Sequence, residues 1–153
     1  MGNDKWIKAC GDKVIKACGD KVIKACGDKM INGQNMSSKY LRFEELEVWQ
    51  DAMLLCKNVY TVFKCCKDYG LKDQICRAAV SVPSNIAEGY ERKGTKETIH
   101  FFYIAKGSCG ELRTQLQIAT DLEYIEQQCG KHLIEDAVKL SIKIYRYVQA
   151  IGE

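Results

Sequence analysis

The 153-residue chain is 46% hydrophobic and 28% charged, the balance of a folded globular domain rather than a disordered polymer. No stretch approaches the roughly 18 apolar residues of a membrane span, and the N-terminus lacks the apolar core and cleavage site of a secretory signal, so the expected location is the cytoplasm. The formal charge of +3 belongs to residues 1–35, which hold seven Lys against four Asp; residues 36–153 hold sixteen of each sign, which argues against a generally basic nucleic-acid-coating protein.

Residues 1–35 carry the octapeptide IKACGDKV from Ile7, Ile15 and Ile23, the last copy ending in Met30. Eight residues advance a helix by about 80° beyond whole turns, so no apolar stripe persists from copy to copy. The glycine in each copy weakens helix and strand alike. The segment is expected to be a flexible, disordered or weakly helical tail, or a misassigned start upstream of Met36. A lysine-rich tether and a thiol-bearing metal binder are the alternatives. Residues 36–153 form the expected domain.

Four helices are predicted in that domain, roughly over 44–67, 71–90, 95–124 and 131–150. In the first, Phe43, Leu46, Trp49, Met53, Cys56, Tyr60 and Phe63 recur at three- or four-residue spacing, one apolar face of a helix. Gly70 is expected to turn the chain after it. The second helix carries Ile75, Ala78, Ala79 and Val82, with the chain's single proline, Pro83, inside it. Pro83 either kinks this helix or restarts it as a first-turn residue. Ser81, Ser84 and Asn85 can bond the backbone groups that a proline leaves open. Gly89 and Gly94 bracket an expected polar turn, YERK, and Thr95 is the expected N-cap of the third helix. That helix carries Ile99, Phe102, Cys109, Leu112, Leu116 and Ala119, and its small-residue middle, AKGSCGEL, would admit a close neighbour.

A break is expected near Cys129–Gly130. The fourth helix then shows two apolar stripes. Leu133, Ala137, Leu140, Ile144 and Ile151 form the expected core stripe. Ile134, Val138, Ile142, Tyr145 and Val148 form a second, read as an oligomer interface because a monomer's surface helix needs about one. Four helices with short connections and no strand pairs give an all-α, up-down antiparallel four-helix bundle.

The six cysteines of the domain read as free thiols, with Cys56, Cys76 and Cys109 serving as small core residues. Glu97 and His100 make the spacing Glu-x-x-His, but a di-metal bundle needs two such motifs. The only other histidine, His132, has Cys129 where its glutamate should stand. No metal site, cofactor or catalytic residue is expected, and no nucleophile or phosphate-loop motif is present. Arg77, Arg92, Lys93, Lys96, Lys106 and Arg113 are the candidate nucleic-acid contacts, interleaved with Glu88, Glu91, Glu97 and Glu111.

The phrases FEELEVWQDAM, QICRAAVSVPSNIAEGYER and HFFYIAKGSCGELRTQLQIATDL resemble the four-helix bundle proteins encoded in intervening sequences of 23S rRNA genes. That family is also similar to the accessory variability protein of diversity-generating retroelements. Pro83, Ser84, Asn85 and Gly89 lie in the most diagnostic phrase. The resemblance implies a non-enzymatic bundle that assembles into a ring, commonly a homopentamer. It also implies association with RNA or DNA and, for the retroelement relatives, a reverse transcriptase partner. Two departures from the family pattern stand out: Cys76 precedes Arg77 where a second basic residue is common, and the first connection lacks proline. A protein-docking adaptor without nucleic-acid binding is the alternative function.

Overall fold

The computed structural model describes residues 42–152. The octapeptide repeat, its tail and start-site readings, and Met36 lie outside the described residues. Four helices follow a short 3₁₀ turn at Phe43–Glu45: α1 (Glu47–Val62), α2 (Tyr69–Glu91), α3 (Thr95–Asp121) and α4 (Gln127–Gly152), with a second 3₁₀ turn at Phe63–Cys65 between α1 and α2. No strand occurs among the described residues.

The helices pack in ring order: α3 lies against α2 and α4, and α1 closes the ring by touching α2 and α4. Side-chain contacts show the antiparallel register directly. Ser81 meets Ser108, with their Oγ atoms 2.9 Å apart, and the backbone of Gly89 lies against Phe101 and Phe102. Across α3 and α4, Thr120 meets Gly130 and Ile99 meets Gly152, while the rings of Phe102 and Tyr147 stack at 4.7 Å. Ascending numbers on one helix meet descending numbers on the next, as an up-down four-helix bundle requires.

The core is built from Phe63, Ile75, Ile86, Phe102, Leu112, Leu116 and Ile144, all fully enclosed, with alanines between them. Burial of such side chains supplies about 1.5–3 kcal/mol each. The α1 stripe differs from expectation. Val48, Ala52, Leu55, Val59 and Phe63 face the core, whereas Trp49, Met53 and Cys56 are half-buried and Tyr60 is exposed. Two apolar lines run side by side along α1, about 100° apart. The line of smaller residues faces inward, because interlocked helices leave little room there. Trp49 instead packs edge-on against Phe43, with centroids 5.4 Å apart.

Three expected boundaries move for identifiable reasons. Asp68, not Gly70, starts α2: its carboxylate accepts the Leu71 amide at 3.0 Å, satisfying one of the free amides of the first turn. Gly70 is helical. At α3 the N-cap is Gly94, and Thr95 is already helical. Helix α4 begins at Gln127, so Cys129 and Gly130 lie inside it; the break falls at 122–126, where Glu123 takes a left-handed φ of 59°.

Pro83 sits in an unbroken α2, which excludes the restart. Ser84 Oγ donates to the Val80 carbonyl at 2.8 Å and Asn85 Nδ2 donates to the Ser81 carbonyl at 2.7 Å. Two carbonyls of the turn before Pro83 thus gain side-chain donors near the point where the ring removes a backbone one. Gly89 is likewise helical and buried rather than part of a turn. A Cβ there would stand 2.8 Å from Phe101 Cβ and 3.2 Å from the Thr98 carbonyl oxygen.

Candidate nucleic-acid and assembly surfaces

The six basic candidates do not converge. Arg92, Lys93 and Lys96 gather at the α2–α3 turn, all exposed. Arg92 is engaged there: its guanidinium bonds the Glu88 carboxylate and lies 5.0 Å from the centroid of the Phe101 ring. Arg77 stands on the outer side of α2, 3.8 Å from Asp73 one turn earlier. Lys106 and Arg113 occupy a third place. Ile99, Lys106, Arg113 and Thr120 are seven residues apart, so they follow one line along α3. Both ends of that line touch α4, at Gly152 and Gly130. Lys93, Lys96, Lys106 and Arg113 enter no ion pair among the described residues. Of the interleaved acids, Glu88 answers Arg92, while Glu111 accepts the Gln115 amide at 3.0 Å.

Helix α4 separates its two stripes, with one reassignment. Leu133, Ala137, Leu140, Ile144 and Val148 are buried. Val148 is only 3% exposed, so it belongs to the core and not to the interface candidates. It follows Ile144 by four residues and therefore continues the inward line, which leaves Ile151 half-buried at the helix end. Ile134 and Val138 are half-buried, whereas Ile142 is 47% and Tyr145 45% exposed. The antiparallel register places Tyr145 level with Lys106, and Val138 level with Arg113. A partly apolar ridge on α4 thus runs beside Lys106 and Arg113 of α3.

The outward face of α3 contains features that composition does not reveal. A Cβ added at Gly107 or Gly110 would meet nothing within 4 Å among the described residues, so these two glycines face away from the bundle, while Ser108 of the same small-residue stretch does meet α2 at Ser81. Ser108 and Cys109 between them face inward. Tyr103, Ile104 and Ile118 are exposed on the same helix, as is Leu122 just after it. Their position opposite the Phe102–Leu112–Leu116 line was the sequence signal that could have located them.

The thiols confirm part of the core reading. Burial pushes the Cys109 thiol up to about 12, and Cys76 is buried too, while Cys56 is half-buried. A thiol reagent is expected to label Cys109 in the native protein only as fast as the bundle unfolds, as followed by peptide mapping over time. Prompt labelling of Cys109 would contradict its place in the core. His100 is exposed beside Phe101, and no cluster of three metal-ligating side chains occurs among the described residues. None of their helices is long and apolar enough to cross a membrane.

One ion-pair set ties α1 to α4. Lys143 Nζ lies 2.6 Å from Glu47 and 2.5 Å from Asp51. Partial burial lowers the Lys143 ammonium's proton affinity, but the two carboxylates outweigh it and the net shift is upward. Its contribution is therefore complete below the ordinary lysine range and is lost only as pH rises past that range. The sequence separation of these partners hid the contact.

Comparison with known proteins agrees with this architecture. The family model described as 23S rRNA-intervening sequence protein matches residues 44–146. Among solved structures, a protein of unknown function from the S23 ribosomal protein family of Bacteroides thetaiotaomicron superposes with a TM-score of 0.63 at 17% identity, covering 66% of this chain and 97% of that one. No curated protein sequence matches. The family match spans α1, α2, α3 and most of α4, including the phrase around Pro83: this chain belongs to the 23S rRNA-intervening sequence protein family.

Proposed function

We propose that the protein is a non-enzymatic, self-associating bundle that holds nucleic acid on basic residues repeated around the assembly. The observation that carries self-association is the ridge of Ile142 and Tyr145, half-exposed on a helix whose opposite line already fills the core. A large apolar side chain left in water forgoes roughly 1.5–3 kcal/mol of burial. The α4 ridge and the open α3 face offer two different apolar patches, and unlike patches join head to tail into rings when the rotation closes. Homopentameric assembly, implied by resemblance, is one such closure.

Support for nucleic acid comes from Lys93, Lys96, Lys106 and Arg113, whose charges are not answered by carboxylates among the described residues. In one copy they stand in two separate places, the α2–α3 turn and the α3 line beside α4, and the symmetry of an assembly would multiply both. Arg77 and Arg92 are weaker candidates because Asp73 and Glu88 already engage them. The test is fluorescence anisotropy with single-stranded RNA and duplex DNA across a salt series. Reversing Lys93 and Lys96 to Glu is expected to weaken binding and flatten the salt dependence, each lost phosphate contact reducing the log–log slope by about 0.7–0.9. Unchanged affinity and slope would leave the protein-docking adaptor, which the α4 ridge alone also serves.

A further inference from the structure

Four of the six cysteines of the domain fall in the α1–α2 hairpin, at positions 56, 65, 66 and 76. Helix α1 ends at Val62 and α2 begins at Tyr69, so the turn is centred between residues 65 and 66. In an antiparallel hairpin, residues equally far from that centre are level, and Cys56 and Cys76 lie about ten residues to either side. They also point to the same seam. On α1, Lys143 of α4 engages Glu47 and Asp51. At about 100° per residue, Cys56 falls on the other flank of the core line, toward α2. On α2, Ser81 and Gly89 mark the flank that meets α3, and Cys76 falls on the opposite one, toward α1. Burial agrees: Cys76 is enclosed and Cys56 is half-buried against the core. The Cys76 thiol adds to the burial that pushes the Cys56 thiol up, in keeping with that placement.

We propose that Cys56 and Cys76 are a facing thiol pair that closes into an α1–α2 disulfide when the folded protein meets a small-molecule disulfide oxidant. Helix axes about 8–10 Å apart, less two backbone radii of about 2.3 Å, leave roughly 3.4–5.4 Å between directly facing Cα positions, which overlaps the 4.4–6.8 Å Cα range of a disulfide. The half-exposed thiol of Cys56 loses its proton and attacks one sulfur of the oxidant, expelling one small thiolate and forming a mixed disulfide. Cys76 then loses its proton, attacks the Cys56 sulfur and expels the second thiolate. Two S–H bonds are lost, one protein S–S bond is formed, and the oxidant is reduced to two small thiols. This proposal does not depend on association or on nucleic acid.

The test uses the full chain incubated with oxidised glutathione, then alkylated and mapped by mass spectrometry without reduction. The expected product is a peptide pair joining Cys56 to Cys76 with loss of two hydrogens. It should persist in Cys66→Ser and vanish in Cys56→Ser, a change at a half-buried position that is expected to keep the helical circular dichroism. Cys66 is the competitor, since its thiol adds to the burial that pushes the Cys76 thiol up. A Cys66–Cys76 link instead, or a glutathione adduct that stays on Cys56 unresolved in the folded protein, would overturn the pairing.

Discussion

Replacing Gly130 with alanine is expected to lower the unfolding free energy by about 1–3 kcal/mol, the cost of overpacking, although alanine is the better helix former. The new Cβ would stand 2.0 Å from Thr120 Oγ1 and 3.1 Å from both Thr120 carbons. Thr120 has little freedom to yield. Its hydroxyl donates to the Leu116 carbonyl at 2.7 Å, and a β-branched side chain on a helix has few rotamers. Turning it away would lose that bond and bring the methyl forward. Either α3 and α4 separate locally or a buried bond breaks. Gly110→Ala is the matched control, since no atom of the described residues lies within 4 Å of its added carbon. It should stabilise by up to about 1 kcal/mol. In thermal unfolding each kcal/mol corresponds to roughly 4 °C for a domain of this size. The same direction of change in both variants would refute the interlock at Gly130.

Val148→Asp and Ile142→Asp, six residues apart on α4, are expected to fail in opposite ways. Val148 is 3% exposed among core side chains, and burying a carboxylate without partners costs several kcal/mol after relaxation. That is a large share of a typical domain's 5–15 kcal/mol, so Val148→Asp should lose the cooperative transition. Ile142 is 47% exposed. Ile142→Asp should keep its helical circular dichroism while its mass by light scattering falls toward the single chain. Full-size assemblies of Ile142→Asp would remove the α4 ridge from the interface and with it the observation that carries self-association. Folded Val148→Asp would show that the core line had been misplaced.

The all-α class and the helix count were readable from periodicity, because a 3.6-residue repeat of apolar residues has one physical meaning over twenty residues. The lines through Phe102, Leu112 and Leu116 and through Leu133, Ala137 and Ile144 were equally plain. Where two apolar lines ran side by side, periodicity could not choose between them. On α1 it favoured Trp49 and Tyr60 over Val48 and Val59, and on α4 it placed Val148 on the wrong line. The basic candidates could be picked by residue type, but not sorted. Whether a basic side chain meets a carboxylate depends on what stands one turn away or across a seam, as Arg92 with Glu88 and Lys143 with Glu47 show.

The glycines and the proline mark the division most sharply. By itself the sequence determined that residues 74–94 hold an unusual, breaker-containing helical phrase, with donors at Ser84 and Asn85 able to serve it. Only the tertiary structure decided that α2 runs unbroken through Pro83, and that Gly89 and Gly130 are contact points rather than turns. A glycine's local cost in a helix is the same wherever it lies. Its use depends on what approaches from another helix, and that distance is set only when the bundle closes.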